Sequence, residues 1–234
     1  MKSYPSIPYW KAGHFGEPAY VFEKFDGTQI RAEWSKKRGW YKFGSKGQLI
    51  DDTSEWANMV NVFNEMHGDE LPKLFKSEYP RVQEFTVFGE YWGEKSFIGI
   101  HPKEDVKKYV TIFDVNLYKQ GFVLPREFSK VFKSNGFYFA RCFGRYTYGK
   151  ALVDRIFEWN SDFPLDFGDA AYFPLQPLFE GVVCKGTRKT KGRDLIWQAK
   201  CKTEAWLKAV RALKGDKYVL EELNGDSVLY DIGE

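Results

Sequence analysis

The sequence predicts an α+β fold rich in antiparallel strands, and three observations carry that expectation. Short apolar runs with period-2 alternation recur from Ala19 onward, separated by Asp-Gly, glycine-containing and basic turns. Only four segments show helical periodicity, and they are interspersed among the strands without the regular strand–helix alternation of a parallel sheet. At 234 residues, with 43% hydrophobic and 29% charged side chains, the chain can bury a sizeable core and is expected to be soluble and globular. Without a repeat, a low-complexity tract or a clear linker, residues 1–234 are expected to form a single domain.

The elements follow in order. Residues 1–19 are rich in proline, glycine and aromatics and read as an irregular lead-in packed on the body. Ala19 to Phe25 is a strand, and Asp26-Gly27 is a hairpin signal. Thr28 to Trp34 alternates, with Thr28, Ile30, Ala32 and Trp34 on one face and Gln29, Arg31 and Glu33 on the other. Lys36-Lys37-Arg38-Gly39 is a charged turn before a short strand from Trp40 to Phe43. Thr53 to His67 is a helix with Thr53 or Ser54 as N-cap, Gly68 as stop, and Trp56, Met59, Val60, Phe63 and Met66 on its apolar face. Val82 to Trp92 and Tyr109 to Val115 are strands, and Pro125 to Lys133 and Lys150 to Trp159 are helices. Leu178 to Lys185 and Leu195 to Lys202 are strands joined by a basic loop. A last helix runs from its N-cap Thr203 to Lys214, with Gly215 as stop, and residues 203–234 form this short helix and a tail.

Composition narrows the function classes. A net charge of +3 is too mild to mark a polyanion partner by itself, so any nucleic-acid surface must be a local cluster. Aromatic content of 18% supplies both core and flat faces on which bases can stack. Cys142, Cys184 and Cys201 are odd in number and have no CxxC spacing, which argues against a disulfide framework and a zinc knuckle. No run is long and apolar enough to span a membrane, and the N-terminus lacks the order of a signal peptide, so a reducing, cytoplasmic setting is expected.

Candidate chemistry starts at Lys24, which ends an apolar run directly before Asp26-Gly27. A lysine there is most often an exposed charge, and Asp-Gly is most often a plain turn. Further polar groups recur downstream on apolar strands: Glu90 beside Gly89, Phe113 with Asp114, Glu180 before Gly181-Val182-Val183, and Lys200 with Lys202 at i and i+2 on one face. A lysine nucleophile needs a neutral amine, which nearby cations and desolvation favour. Lys200 and Lys202 are the cationic neighbours. Phosphates need positive charge, and a magnesium ion that keeps most of its waters needs only one or two carboxylates, such as Glu180. Phe113 offers a face to a purine, and Glu90 an acceptor to a ribose. Each of these residues also has an ordinary structural role open to it; only together do they make a nucleotide site.

In this order the blocks resemble the motifs of the covalent nucleotidyltransferase superfamily, which contains ATP-dependent DNA ligases, RNA ligases and mRNA capping enzymes. Lys24-Phe25-Asp26-Gly27 resembles the block of the adenylated lysine, Phe88 to Tyr91 the ribose-binding block, and Phe113 the base-stacking aromatic. Glu180-Gly181-Val182-Val183 resembles the metal-linked block and Lys200-Cys201-Lys202 the closing phosphate-binding block. The match covers roughly residues 20–205. Gly27-Thr28-Gln29 is similar to the Gly-Thr-Asn run of the phage RNA ligase 2 type, whereas DNA ligases commonly carry an arginine at the position of Gln29. Lys46 stands near the place of an arginine expected after the first hairpin.

The resemblance implies a nucleotidyltransferase (ATP-grasp-like ligase adenylation) domain with no OB domain, since only 32 residues follow Lys202. It implies Lys24 as catalytic nucleophile, with Glu23, Gln29, Lys46, Glu90, Phe113, Glu180, Lys200 and Lys202 on the nucleotide and Glu180 on the metal. ATP and Mg2+ (or Mn2+) are the implied cofactors. The implied activity joins 5′-phosphate and 3′-hydroxyl ends through lysyl-AMP, with nicked RNA or RNA-containing duplexes as substrate and a monomeric enzyme in the cytoplasm, the host's if the source is viral. A minimal DNA ligase is the nearest alternative, ahead of a capping guanylyltransferase or a non-catalytic nucleic-acid-binding module. Nucleic acid is expected to be gripped through Lys185, Arg188, Lys189, Lys191 and Arg193, a run that contains no acid; a solvated hairpin tip is the equal alternative.

Overall fold

The computed structural model describes residues 3–51, 56–103, 107–135, 139–159 and 178–224. In chain order the elements are β1 (Pro18–Lys24), β2 (Thr28–Ser35), β3 (Gly39–Gly44), β4 (Leu49–Ile50), α1 (Ala57–His67), α2 (Glu70–Glu78), β5 (Glu84–Gly93), β6 (Lys108–Leu117), β7 (Gly121–Phe122), α3 (Pro125–Asn135), β8 (Cys142–Thr147), α4 (Lys150–Phe157), β9 (Gly181–Thr190), β10 (Arg193–Lys202), α5 (Glu204–Lys214) and α6 (Asp216–Asn224). The described residues within 1–5 and 25–141 form one compact unit, and those within 6–24, 142–168 and 178–234 form a second. The antiparallel-rich α+β class expected from the sequence is the one observed.

The first unit is built on a six-stranded sheet in the order β4-β3-β2-β5-β6-β7. Every pairing in it is antiparallel. Its core is aromatic: Phe75 stacks on Phe85 at 4.5 Å between centroids, Phe128 on Phe132 at 4.5 Å, and Trp34 on Phe85 at 5.0 Å. Such offset pairs add about 0.5–1.5 kcal/mol each beyond the area they bury. Buried His67, the last residue of α1, fastens that helix to β6 by donating from Nε2 to the Val110 carbonyl at 2.8 Å.

The second unit is a four-stranded antiparallel sheet in the order β10-β9-β1-β8. One face, carrying Val21, Val182, Cys184, Ala199 and Cys201, packs on Leu152, Val153 and Ile156 of α4. Residues 8–10 run along β10: Lys200 donates its amide to the Pro8 carbonyl at 2.9 Å, and Trp10 donates its own to the Lys200 carbonyl at 3.1 Å. This part of the lead-in therefore packs on the edge of the sheet. No disulfide joins Cys142, Cys184 or Cys201. A hydrogen bond to Cys184 and burial push the Cys201 thiol well above its usual range.

Several expectations need correction. Asp26-Gly27 is not a hairpin turn. β1 pairs with β8 and β9 whereas β2 pairs with β3 and β5, so this turn carries the chain out of one sheet and into another. The expected caps Thr53 and Ser54 lie outside the described residues, where α1 begins at Ala57. Gly68 caps α1 after His67 as expected, and a separate helix, α2, which the sequence does not lead one to expect, starts two residues later at Glu70. The basic stretch after Lys185 is not a loop: β9 and β10 continue as a ladder to Arg193↔Thr190, turning at Lys191 and Gly192 with φ of 49° and 77°. β4, α2, β7, β8 and α6 have no counterpart among the sequence-based elements. The last long helix is as expected, with the Thr203 hydroxyl accepting from the Trp206 amide and Gly215 at its end with φ of 84°.

Candidate active site

Lys24 occupies the last position of β1. The ladder places it opposite Gly181, and Gly181 opposite Lys202, so one row crosses β1, β9 and β10. Residues in register share a face, so both lysines project to the same side, away from the face that meets α4. Glu180, one residue before that row, is 3% exposed. Its Oε2 accepts from Lys24 Nζ at 2.8 Å and its Oε1 pairs with Lys202 Nζ at 3.1 Å. The backbone of Glu180 is fixed as well, because its carbonyl accepts the Thr203 amide at 3.0 Å. Gly181 is required here: at φ 146°, a Cβ would lie 2.1 Å from the Cys201 carbonyl oxygen. The Glu-Gly pair thus lets β9 and β10 close while the carboxylate reaches both lysines.

The same face carries more positive charge. Alternation from Gly181 and Lys202 puts Lys185 and Lys200 on it. Lys200 Nζ lies 4.9 Å from the centre of the Tyr9 ring, and Lys202 Nζ 3.7 Å from that of Trp206. Lys185 is 3% exposed, with Nζ 5.1 Å over Phe22. Position in the chain groups it with the exposed basic run; the structure separates it from that run and sets it on the face of Lys24. Two lysines on one carboxylate, with two more on the same face of the sheet, suit a site for polyphosphate. Glu23 is 2% exposed and, being adjacent to Lys24 in β1, turns to the opposite face beside Val182.

In the first unit, Gln29 of β2 lies directly opposite Glu90 of β5. Both are half-buried. Phe113 sits at a bulge in β6, where Phe88 pairs with Asp114 and Gly89 with Ile112. Tyr4 packs its ring edge-on to Phe113 at 5.0 Å and donates its hydroxyl to Asp114 Oδ2 at 2.8 Å. Lys46 is exposed in the turn between β3 and β4. The turn after Lys24 is packed tightly: a Cβ on Gly27 would stand 2.2 Å from the Tyr91 carbonyl oxygen.

Beyond Lys185 the basic residues divide. Arg188, Lys189 and Lys191 are exposed at the end of the β9–β10 ladder, and Arg193 opens β10. Arg188 pairs with Glu17, which holds that carboxylate below its usual range through the hydrogen bond and the guanidinium charge. Lys189 lies on the opposite face of β9 from Arg188.

Among the described residues no group of three or more His, Cys, Asp or Glu side chains could hold a metal ion. Glu180 is one carboxylate between two ammonium groups. That donor set fits an ion that keeps most of its ligands as water and phosphate oxygen, and it does not fit an all-protein cage.

Sequence reasoning misses three features. Arg31 is 6% exposed and donates from Nη1 to Ser3 Oγ at 3.0 Å; the alternation Gln29–Arg31–Glu33 is the signal that could find it. Tyr4 stands in an opening Tyr4-Pro5-Ser6-Ile7 run similar to that of the phage RNA ligase 2 type, but nothing in that run signals its contacts with Phe113 and Asp114. His101 bonds to Thr28, 73 residues away, and nothing in the sequence links the two.

A lysine and a buried carboxylate joined across a β-ladder, in an antiparallel α+β chain, fit the ligase-type nucleotidyltransferase domain that the motifs resemble, and the comparisons with known proteins agree. The chain belongs to the RNA ligase family, whose model matches residues 17–210. It is similar in fold to the apo form of a Naegleria gruberi RNA ligase mutant, with a TM-score of 0.56, 15% identity, and coverage of 85% of this chain and 53% of that one. A second mutant of the same enzyme, solved with ATP and Mn, gives 0.55, 13%, 84% and 52%. An archaeal ATP-dependent RNA ligase gives 0.55, 16%, 86% and 48%. At these identities the likeness is one of fold, and the chain spans about half the length of the solved ligases it matches. A comparison with curated proteins gave no match.

Proposed function

We propose that this chain is an ATP-dependent RNA-joining enzyme in which Lys24 carries AMP. The observation that supports this most directly is Lys24 Nζ held 2.8 Å from buried Glu180, on a face shared with Lys185, Lys200 and Lys202. Membership of the RNA ligase family supports RNA as the joined strand, and the Naegleria relative solved with ATP and Mn supports the nucleotide and a divalent ion.

In the first step, Lys24 Nζ attacks the ATP α-phosphate. A bond from Nζ to phosphorus forms, the α–β anhydride bond breaks, and pyrophosphate leaves with the electron pair. The ammonium must first release a proton, and Glu180 Oε2 is the acceptor already hydrogen-bonded to it. Lys185, Lys200 and Lys202 offset phosphate charge. Glu90 receives the ribose hydroxyls and Phe113 the base, with Gln29 and Lys46 as further nucleotide-side residues; Glu23, buried on the opposite face of β1, takes no part. A divalent ion, when bound next to Glu180, supplies further neutralisation of the phosphates. AMP then moves to a 5′-phosphate, and a 3′-hydroxyl displaces it to join the strands. Arg188, Lys189, Lys191 and Arg193 bind the nucleic-acid backbone. We place the enzyme in the cytoplasm as a monomer; no described helix is long and apolar enough to cross a membrane.

The test is a denaturing gel after incubation with α-labelled ATP and Mg2+ or Mn2+. A labelled band should appear in the wild type and vanish in Lys24→Ala. No band with either metal, once prior adenylation has been reversed with pyrophosphate, overturns the reading. Labelled GTP in parallel tests a capping activity. Nicked duplexes with RNA or DNA flanking the nick then separate the RNA assignment from a minimal DNA ligase, which faster sealing of all-DNA nicks would favour.

A further inference from the structure

We propose that His101 is a positioning residue for Lys24, acting through the turn that follows it; this rests on the ligase reading above. The turn after Phe25 is fastened at three consecutive residues. Asp26, 8% exposed, accepts the Ile98 amide on Oδ1 at 2.8 Å. Gly27 is packed against the Tyr91 carbonyl. The Thr28 hydroxyl bonds to His101 Nε2 at 3.0 Å, and the other ring nitrogen of His101 bonds to Ser96 Oγ at 2.9 Å. Tyr91 packs on the imidazole at 4.8 Å and Trp56 meets it edge-on at 5.9 Å.

The segment that supplies these partners is itself strained. Phe97 and Ile100 exchange backbone hydrogen bonds at 3.1 and 3.0 Å, closing a two-residue turn at Ile98-Gly99. Both central residues have positive φ, 52° and 69°. That is the pattern of a type I′ turn, which favours Asn, Asp or Gly. A β-branched Ile98 there is disfavoured and persists only where the surroundings over-determine it. The Asp26 carboxylate on the Ile98 amide is one such restraint, and the Thr28–His101–Ser96 relay is the other. The five-residue stretch from Lys24 to Thr28 therefore has its distal end tied down. Freeing that end lets the backbone of the nucleophile drift, and about 1 Å of misplacement can cost about 100-fold in rate.

The imidazole touches no atom that reacts, and its role is geometric. Either neutral tautomer serves, because each hydroxyl can donate or accept. This gives a test that ordinary packing would not pass. A glutamine amide reaches the position of Nε2 and can keep the bond to Thr28. An asparagine amide reaches only that of Nδ1 and keeps the bond to Ser96.

The experiment measures single-turnover lysyl-AMP formation by the full chain with α-labelled ATP across a range of ATP concentrations. His101→Ala, His101→Asn and Thr28→Val should each slow the maximal rate by about 10- to 100-fold. Half-saturating ATP should stay within about twofold, because neighbouring Gln29 keeps its own place opposite Glu90 in the β2–β5 ladder and neither substituted side chain is among the nucleotide-binding groups. His101→Gln and Thr28→Ser should stay near the wild-type rate. Circular dichroism and the unfolding midpoint check each variant, and the threonine pair serves if His101→Ala does not fold. Label in the wild type with an unchanged maximal rate in His101→Ala and Thr28→Val overturns this assignment alone. So does equal slowing in His101→Asn and His101→Gln. An unlabelled wild type overturns the ligase reading and this assignment together.

Discussion

Glu180 is the residue on which the second unit's charges converge. It is buried with both carboxylate oxygens engaged by lysines, one of them, Lys202, only 2% exposed at its side chain. Removing one partner of a buried pair strands the other charge, at a cost of about 3–5 kcal/mol. Glu180→Ala should therefore lower the unfolding free energy by about that much, as urea titration would register, as well as abolish adenylation. A loss below about 1 kcal/mol would mean that solvent reaches Lys202 freely. His67 supplies a separate test. Burial holds its imidazole down to about 4 from the ordinary 6.5. The unfolded chain binds a proton that the folded chain refuses between those values, so stability is complete above pH 6.5 and falls as pH drops toward 4. The shift corresponds to about 3 kcal/mol. His67→Leu should remove this part of the acid sensitivity; an unchanged slope of stability against pH would place the acid lability elsewhere.

At the scale of elements, the β9–β10 ladder shows what a sequence can and cannot convey. Lys24, Glu180 and Lys202 are legible because each closes or precedes an apolar strand in a motif of fixed spacing, and the ladder brings them into one row. Lys185 is easily misgrouped because charge alone cannot tell a strand from a loop. Only its place opposite Gln198 and Tyr20, inside the sheet, makes it buried. The Asp26-Gly27 turn misleads for a related reason: the dipeptide is common in hairpins, and which strands pair is decided by residues far along the chain. α2 is hidden because Gly68 ends α1 where the sequence says it should, and the short stretch after it, interrupted by Pro72, does not announce a second helix starting at Glu70. The ladder's exposed end makes its own prediction. Replacing Lys189 and Lys191 with glutamine should weaken RNA binding, and the slope of log K against log salt should fall by about 0.7–0.9 for each phosphate no longer neutralised. Lysyl-AMP formation should be unchanged; its loss would move these residues to the nucleotide.

For the whole molecule, the residues proposed to bind nucleotide are Lys24, Glu180, Lys200 and Lys202 in one compact unit and Gln29, Lys46, Glu90 and Phe113 in the other. A ligand that binds the native state alone stabilises it by mass action, by about 2.7 kcal/mol at about 100 times its Kd. For a chain of this size that is about 5–11 °C in the unfolding midpoint. ATP should produce such a rise in Lys24→Ala, where no covalent step can follow, so the shift reports binding alone. Glu90→Ala or Phe113→Ala in that background should shrink the rise. The wild type, incubated with ATP and a divalent ion and then freed of nucleotide, should keep part of the rise, because AMP remains on Lys24. Pyrophosphate should then reverse it. A rise that washes out of the wild type as fully as out of Lys24→Ala would mean that ATP binds without forming the lysyl-AMP bond.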